Sequence, residues 1–170
     1  MGTSRRARRH GERGASAVEF ALIVPLLMMV LFGLITTGLA FSDHLSATNA
    51  TREGARYGAA TSISNSSWAT SVRDRVKQTY FNAGVTVTND QICVRLVRST
   101  GTTAAEHIGA SCGSAPPVPA NMASGSCAVL VWMQRPQRIR LIAFPDLTFN
   151  SKAESVAYYS RKVASTCPVA

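Results

Sequence analysis

Residues 14–41 read GASAVEFALIVPLLMMVLFGLITTGLAF, and this stretch decides the architecture. From Phe20 to Phe41 there are 22 residues without a charge, rich in Leu, Val, Ile, Met and Phe. As an α-helix at about 1.5 Å per residue they extend about 33 Å, enough to cross a hydrocarbon core of about 30 Å. Ahead of them, residues 1–14 hold Arg5, Arg6, Arg8, Arg9 and Arg13 against a single acid, Glu12. A basic leader before an apolar helix predicts a cytoplasmic N-terminus and an exported chain from residue 42 onward.

This segregation accounts for the overall composition. The 170 residues are 46% hydrophobic and 16% charged, with a net charge of +9. Their mean hydropathy is +0.07 and the pI is near 10.1. Such a basic balance ordinarily suggests a nucleic-acid partner. Here 5 of the 18 basic side chains lie in the leader, where they report topology instead. The length suits one domain of moderate size and leaves no room for a large multidomain enzyme.

Three readings compete for the N-terminus. A cleaved secretory signal fits the basic start and the small-x-small site Gly38-Leu39-Ala40, but the apolar run exceeds the usual h-region of about 7–15 residues. A twin-arginine signal fails because Arg5-Arg6 is followed by Ala7-Arg8-Arg9 and not by a hydrophobic pair. A plain membrane anchor explains the length but not Glu19. A charge costs about 2.5–3.5 kcal/mol at the centre of a membrane helix and less near its end. A lone Glu19 would read as an interfacial residue, but it sits in a patterned run.

That run is Gly14-Ala15-Ser16-Ala17-Val18-Glu19-Phe20. It resembles the leader of type IV pilins and pseudopilins, in which a membrane aspartyl peptidase cuts after the glycine. The resemblance implies cleavage between Gly14 and Ala15, and it makes Glu19 the fifth mature residue, followed by Phe20. It further implies that Glu19 pairs with a neighbouring subunit's new amino group and so sets register. Farther on, Ala17-Val18-Glu19-Phe20-Ala21-Leu22 with Pro25, then Arg52-Glu53-Gly54-Ala55-Arg56, resemble the TadE-like family of tight-adherence (Flp) pilus assembly proteins. The likeness covers residues 14–60. It implies a pilin-like chain that is not an enzyme. Its expected partners are a prepilin peptidase, other pilin-like subunits, the pilus assembly platform and the lipid membrane.

Beyond the membrane segment, Ser46, Ala50, Gly54 and Gly58 recur every fourth residue and form a stripe of small side chains on a continuing helix. Such a stripe admits close approach, either of the chain's own head or of another subunit. The remainder reads as an α+β head. A helix is expected from Trp68 to Asn82, capped by Ser66-Ser67 and stopped at Gly84, with Arg73, Arg75 and Lys77 pointing away from its apolar face. A short strand over Val85–Thr88, strands over Gln91–Arg98 and Cys127–Gln134, and a third over Arg138–Phe144 follow from apolar alternation. Lys152–Arg161 fits either strand or helix, and Val156–Tyr159 favours strand. Residues 99–125, with Pro116-Pro117, read as one long surface loop. The predicted organisation is therefore a leader over residues 1–14, a transmembrane and stalk helix over 15–60, and a head over 61–170 with a small antiparallel sheet.

Four cysteines in an exported head permit two disulfides. We expect Cys112–Cys127, which closes a short loop, and Cys93–Cys167, which ties the tail to the sheet. No C-x-x-C pair suggests zinc or thiol redox chemistry. Gly109-Ala110-Ser111-Cys112-Gly113 matches the G-x-S-x-G nucleophile pattern, but Pro116-Pro117 follows where that motif needs a helix. His10, His44 and His107 are scattered along the chain. No catalytic residues, metal, cofactor, small-molecule substrate or nucleic acid are expected. The run Arg135-Pro136-Gln137-Arg138-Ile139-Arg140 reads as a solvated turn in preference to a polyanion site. An anchored or secreted extracytoplasmic binding domain remains the alternative from another functional class.

Overall fold

The computed structural model describes residues 8–62, 67–80, 86–139, 147–159 and 167. Helix α1 spans Arg8–Ala60, and it runs through Pro25 without a break in assignment. Proline is tolerated there because a kink or local adjustment can absorb the missing hydrogen bond. The chain divides into two compact units. One contains residues 1–39 with 139–147, and the other residues 40–138 with 148–170. In the first unit the apolar helix is unburied, with Phe20, Leu22 and Leu34 each more than two-thirds exposed. This is the only helix among the described residues long and apolar enough to cross a membrane.

The second unit is an α+β head. Its sheet has the order β2-β1-β3-β4, where β1 is Ile92–Arg98, β2 Thr103–His107, β3 Cys127–Ile139 and β4 Leu147–Tyr158. β1 pairs antiparallel with both β2 and β3, Val94 lying opposite His107 and Val131. One face of the sheet carries Ile92, Val94, Leu96, Val129, Val131 and Met133 and packs with Trp68, Val72 and Val76 of helix α2, Trp68–Thr79. The same core takes in Ala47, Ala50, Ala55 and Ala59 of α1. On the other face, Cys93, Val97, Ala128, Leu130 and Trp132 are covered by Cys112, Ala115 and Met122. Both faces are buried, so β1 and the first half of β3 read as nearly continuous apolar runs.

Several expectations change on contact with this architecture. The loop expected over residues 99–125 contains strand β2, which joins β1 through a tight turn at Gly101, φ +82°. Thr103-Ala104-Ala105-Glu106-His107 has little apolar alternation because it is a half-exposed edge strand. β3 does not stop at Gln134 but continues through Pro136 to Ile139, absorbing the start of the expected third strand; residues 140–144 lie outside the described residues. Residues 86–88 are irregular and lead into a single 3₁₀ turn over Asn89–Gln91, where a strand was expected over 85–88. Helix α2 ends at Thr79, and the stop expected at Gly84 lies outside the described residues. Ser67 occupies its N-cap without a side-chain bond, and Ser66 is not described.

Both disulfides pair differently from expectation: Cys93 with Cys112 and Cys127 with Cys167. The reason is strand parity. Cys93 is registered with Trp132 and shares its face, whereas Cys127 belongs to the opposite, helix-packed face. The two also sit at opposite ends of the β1–β3 ladder, because Cys127 is registered with Arg98. β2 returns the chain to Val94, which delivers Cys112 to the Cys93 end with a Cα separation of 5.9 Å. A Cys112–Cys127 bond would have to pass through the sheet.

Candidate functional site

The expected processing and register residues lie on the exposed part of α1. Gly14, Ala15, Glu19 and Phe20 are all exposed, and a side chain added at Gly14 would meet nothing within 4 Å. Access by a second protein is sterically open at these positions.

The small-residue stripe is in a different situation. Ala50 is fully buried, and Gly54 and Gly58 are covered by the chain's own head. A Cβ on Gly54 would enter the van der Waals shell of Val76 Cγ2, and one on Gly58 would lie 3.0 Å from both Val129 Cγ1 and Val72 Cγ2. Glycine is required here by close approach, not by a special backbone angle. Ser46 is only half-buried. A spacing of four drifts by about 40° per step on a 3.6-residue helix, so the buried face instead follows Asp43, Ala47, Ala50, Gly54 and Gly58.

The Arg52-Glu53-Gly54-Ala55-Arg56 motif therefore works as a clamp on the head. Gly54 and Ala55 point inward, while Glu53 accepts two bonds from Arg56, at 2.8 and 2.9 Å, and one of 3.0 Å from Arg75 of α2. These arginine hydrogen bonds hold the Glu53 carboxyl at about 2, well below its usual range, and raise Arg56 in return. Arg75 also lies over the Tyr57 ring, 5.9 Å from its centroid. It thus turns toward α1, contrary to the expectation that it points away from the helix packing. Arg73 pairs with the adjacent Asp74 at 2.7 Å with its side chain largely buried, whereas Lys77 is exposed.

A second cluster escaped the sequence reading altogether. Asp43, only 4% exposed, accepts a 2.9 Å bond from Arg135 Nη1 and a bond from the Tyr80 hydroxyl. Arg135 also bonds the Tyr80 oxygen and lies over its ring, 5.3 Å from the centroid. The basic run at 135–140 is thus not a solvated turn at its start: Arg135 is in a strand and committed to a buried carboxylate. A signal for this was present, because Asp43 is an acid on the same helix face as Ala47, Ala50 and Gly54. A carboxylate on a buried stripe demands a cation.

The remaining candidates stay dispersed. Ser111 of the G-x-S-x-G match is exposed, and Cys112 beside it is in a disulfide. His44 bonds Ser151 Oγ at 3.0 Å, and His107 reaches the Asn89 carbonyl at 3.5 Å. Among the described residues, no three His, Cys, Asp or Glu side chains gather as metal ligands.

Comparison with known proteins agrees with the motif pattern. The family model described as TadE-like protein matches residues 14–56. Neither curated proteins nor solved structures give a match. The matched segment, about a quarter of the chain, includes the exposed helix and reaches the Glu53–Arg56 pair, and most of the head lies outside the match.

Proposed function

We propose that this TadE-like chain is a non-enzymatic, minor pilin-like component in the assembly of a tight-adherence (Flp) pilus or a related secretion system. The observation that carries the reading is the coincidence of the TadE-like match at residues 14–56 with a helix long and apolar enough to span a membrane. In this reading Phe20–Phe41 inserts once, with the leader cytoplasmic and the head outside. A prepilin peptidase cuts between Gly14 and Ala15 at the membrane face, where a residue without a side chain leaves the backbone unhindered. Glu19 then pairs with a mature amino group of a neighbouring subunit. In a low-dielectric setting such a pair fixes register, because leaving either charge unpaired is expensive. The size of the head, built on two disulfides, supports a minor role in preference to a shaft subunit.

N-terminal sequencing of the membrane-extracted protein tests this reading directly. A mature end at Ala15 is expected. An end at Phe41 would indicate ordinary secretion, and an intact Met1 a simple anchored binding domain. Replacing Gly14 with Arg should leave the long form in the membrane, while Glu19→Ala should insert normally but fail to co-assemble. Wild-type piliation in the Glu19→Ala strain would refute the register role.

A further inference from the structure

Residues 113–126 form a strap over the sheet face that bears Cys93, Leu130 and Trp132, the face turned away from α2. Both of its ends are tied down. Cys112 is bonded to Cys93, and Trp132 Nε1 donates to the Gly113 carbonyl at 3.3 Å. At the other end the Gly125 N–H donates to Ser99 Oγ at 3.1 Å, and the Ser126 carbonyl accepts from the Ser99 N–H at 3.0 Å. From residue 108 to residue 126 the chain carries no charged side chain.

Between these anchors lies Ala115-Pro116-Pro117-Val118-Pro119, in which every residue is a proline or precedes one. Proline fixes its own φ near −65° and pushes the residue before it into extended backbone. Across this stretch the backbone neither turns nor joins a strand. Polyproline II is the conformation that meets both conditions without internal hydrogen bonds. Burial follows its period of three residues. Pro116 is buried and Pro119 and Met122 are half-buried, while the pairs between them, Pro117-Val118 and Ala120-Asn121, are exposed. The strap thus uses one edge to cover the sheet, where Ala115 and Met122 also pack, and turns its other edges outward.

We propose that the outward edge at Pro117-Val118 is a preformed polyproline II ligand for a protein partner whose groove is lined by Trp or Tyr rings. Such a groove takes proline and valine side chains between its rings, while indole N–H or phenol O–H groups donate to backbone carbonyls. The anchored ends mean that little ordering is left to oppose binding. With no charge on the strap, the contact is apolar and insensitive to salt. All of it lies within the unit that begins at residue 40, so this surface exists whatever happens at the N-terminus.

Photocrosslinking tests it with the full chain in detergent extracts of membranes from the cells that normally make it. The photoreactive residue p-benzoylphenylalanine in place of Val118, which is 42% exposed, should link the chain to another protein. An octaproline peptide should suppress that product, and a Gly/Ser peptide of equal length should not. Pro117→Ala should lower the yield about fivefold or more, as loss of a central interface contact does. Added salt should leave it unchanged. Because Pro117 and Val118 are exposed, both altered chains should melt like wild type by the fluorescence of Trp132 beneath the strap. The same probe at Lys77, exposed on α2 across the sheet, should not give the product. A product that octaproline leaves intact overturns the proposal. So does a product between two copies of this chain, a lipid adduct, or no product at Val118.

Discussion

Gly54→Ala is the sharpest test of how the head grips its helix. In an open helix this change is stabilising, because alanine is favoured over glycine by about 1 kcal/mol. At position 54 the new methyl would overlap Val76 Cγ2 and approach Val131 Cγ1 at 3.7 Å. Overpacking of a close-packed core costs about 1–3 kcal/mol, so the net expectation is a destabilisation of up to about 2 kcal/mol. That corresponds to a fall in melting temperature of roughly 2–10 °C for a domain of this size. The readout is thermal unfolding of the full chain in detergent, followed by the fluorescence of buried Trp68 and Trp132. Val76→Ala removes the opposing methyls, and the double variant should be more stable than the sum of the two single losses by about 0.5–3 kcal/mol. If Gly54→Ala is as stable as wild type or more so, and the pair is additive, close approach is not the reason for glycine at this position.

Three further outcomes follow from the head. Asp43→Asn or Arg135→Met should each cost about 3–5 kcal/mol by leaving a buried partner uncompensated, while the double change Asp43→Leu/Arg135→Met should recover much of the loss in the same melting assay. Because Glu53 is held at about 2 against an ordinary value of 4.5, its contribution to stability should be complete above about pH 4.5 and vanish as pH falls toward 2; Glu53→Gln should flatten that limb of the stability–pH curve. Peptide mapping of the non-reduced protein should recover Cys93 linked to Cys112 and Cys127 linked to Cys167, and a Cys127→Ser/Cys167→Ser variant should lose about 2–4 kcal/mol.

The α+β class, the long apolar helix and the apolar face of α2 were legible because each depends on periodicity within one segment. What depends on register between segments was not. Cys93 and Cys127 look equivalent in a linear reading, and only the pairing of Cys93 with Trp132 and of Arg98 with Cys127 places them on opposite faces. Strand β2 was hidden because an edge strand need not alternate apolar residues, and Ala104 and Ala105 suffice to pack it. Arg135 was misplaced for a related reason. Its neighbours Pro136 and Gln137 signal a turn, but its partner Asp43 lies 92 residues earlier.

The burial of the small-residue face also redirects the assembly hypothesis. A stripe of Ala50, Gly54 and Gly58 suggests helix–helix contact between subunits, yet in this chain Val76, Val131, Val72 and Val129 already occupy that face. Another subunit could reach it only by displacing the head, at the cost of exposing the core around Trp68 and Leu96. In the proposed assembly, lateral contact would instead fall to the apolar stretch before Phe41, where Gly33 and Gly38 have nothing within 4 Å of an added Cβ. If that stretch supplies the subunit contact, bulky replacements at Gly33 or Gly38 should impair co-assembly while leaving the melting of the head unchanged. Replacements at Gly54 should do the reverse, lowering head stability first. Equal sensitivity of assembly to both sets, at matched head stability, would return the Gly54 face to the interface and argue against the head as its resident partner.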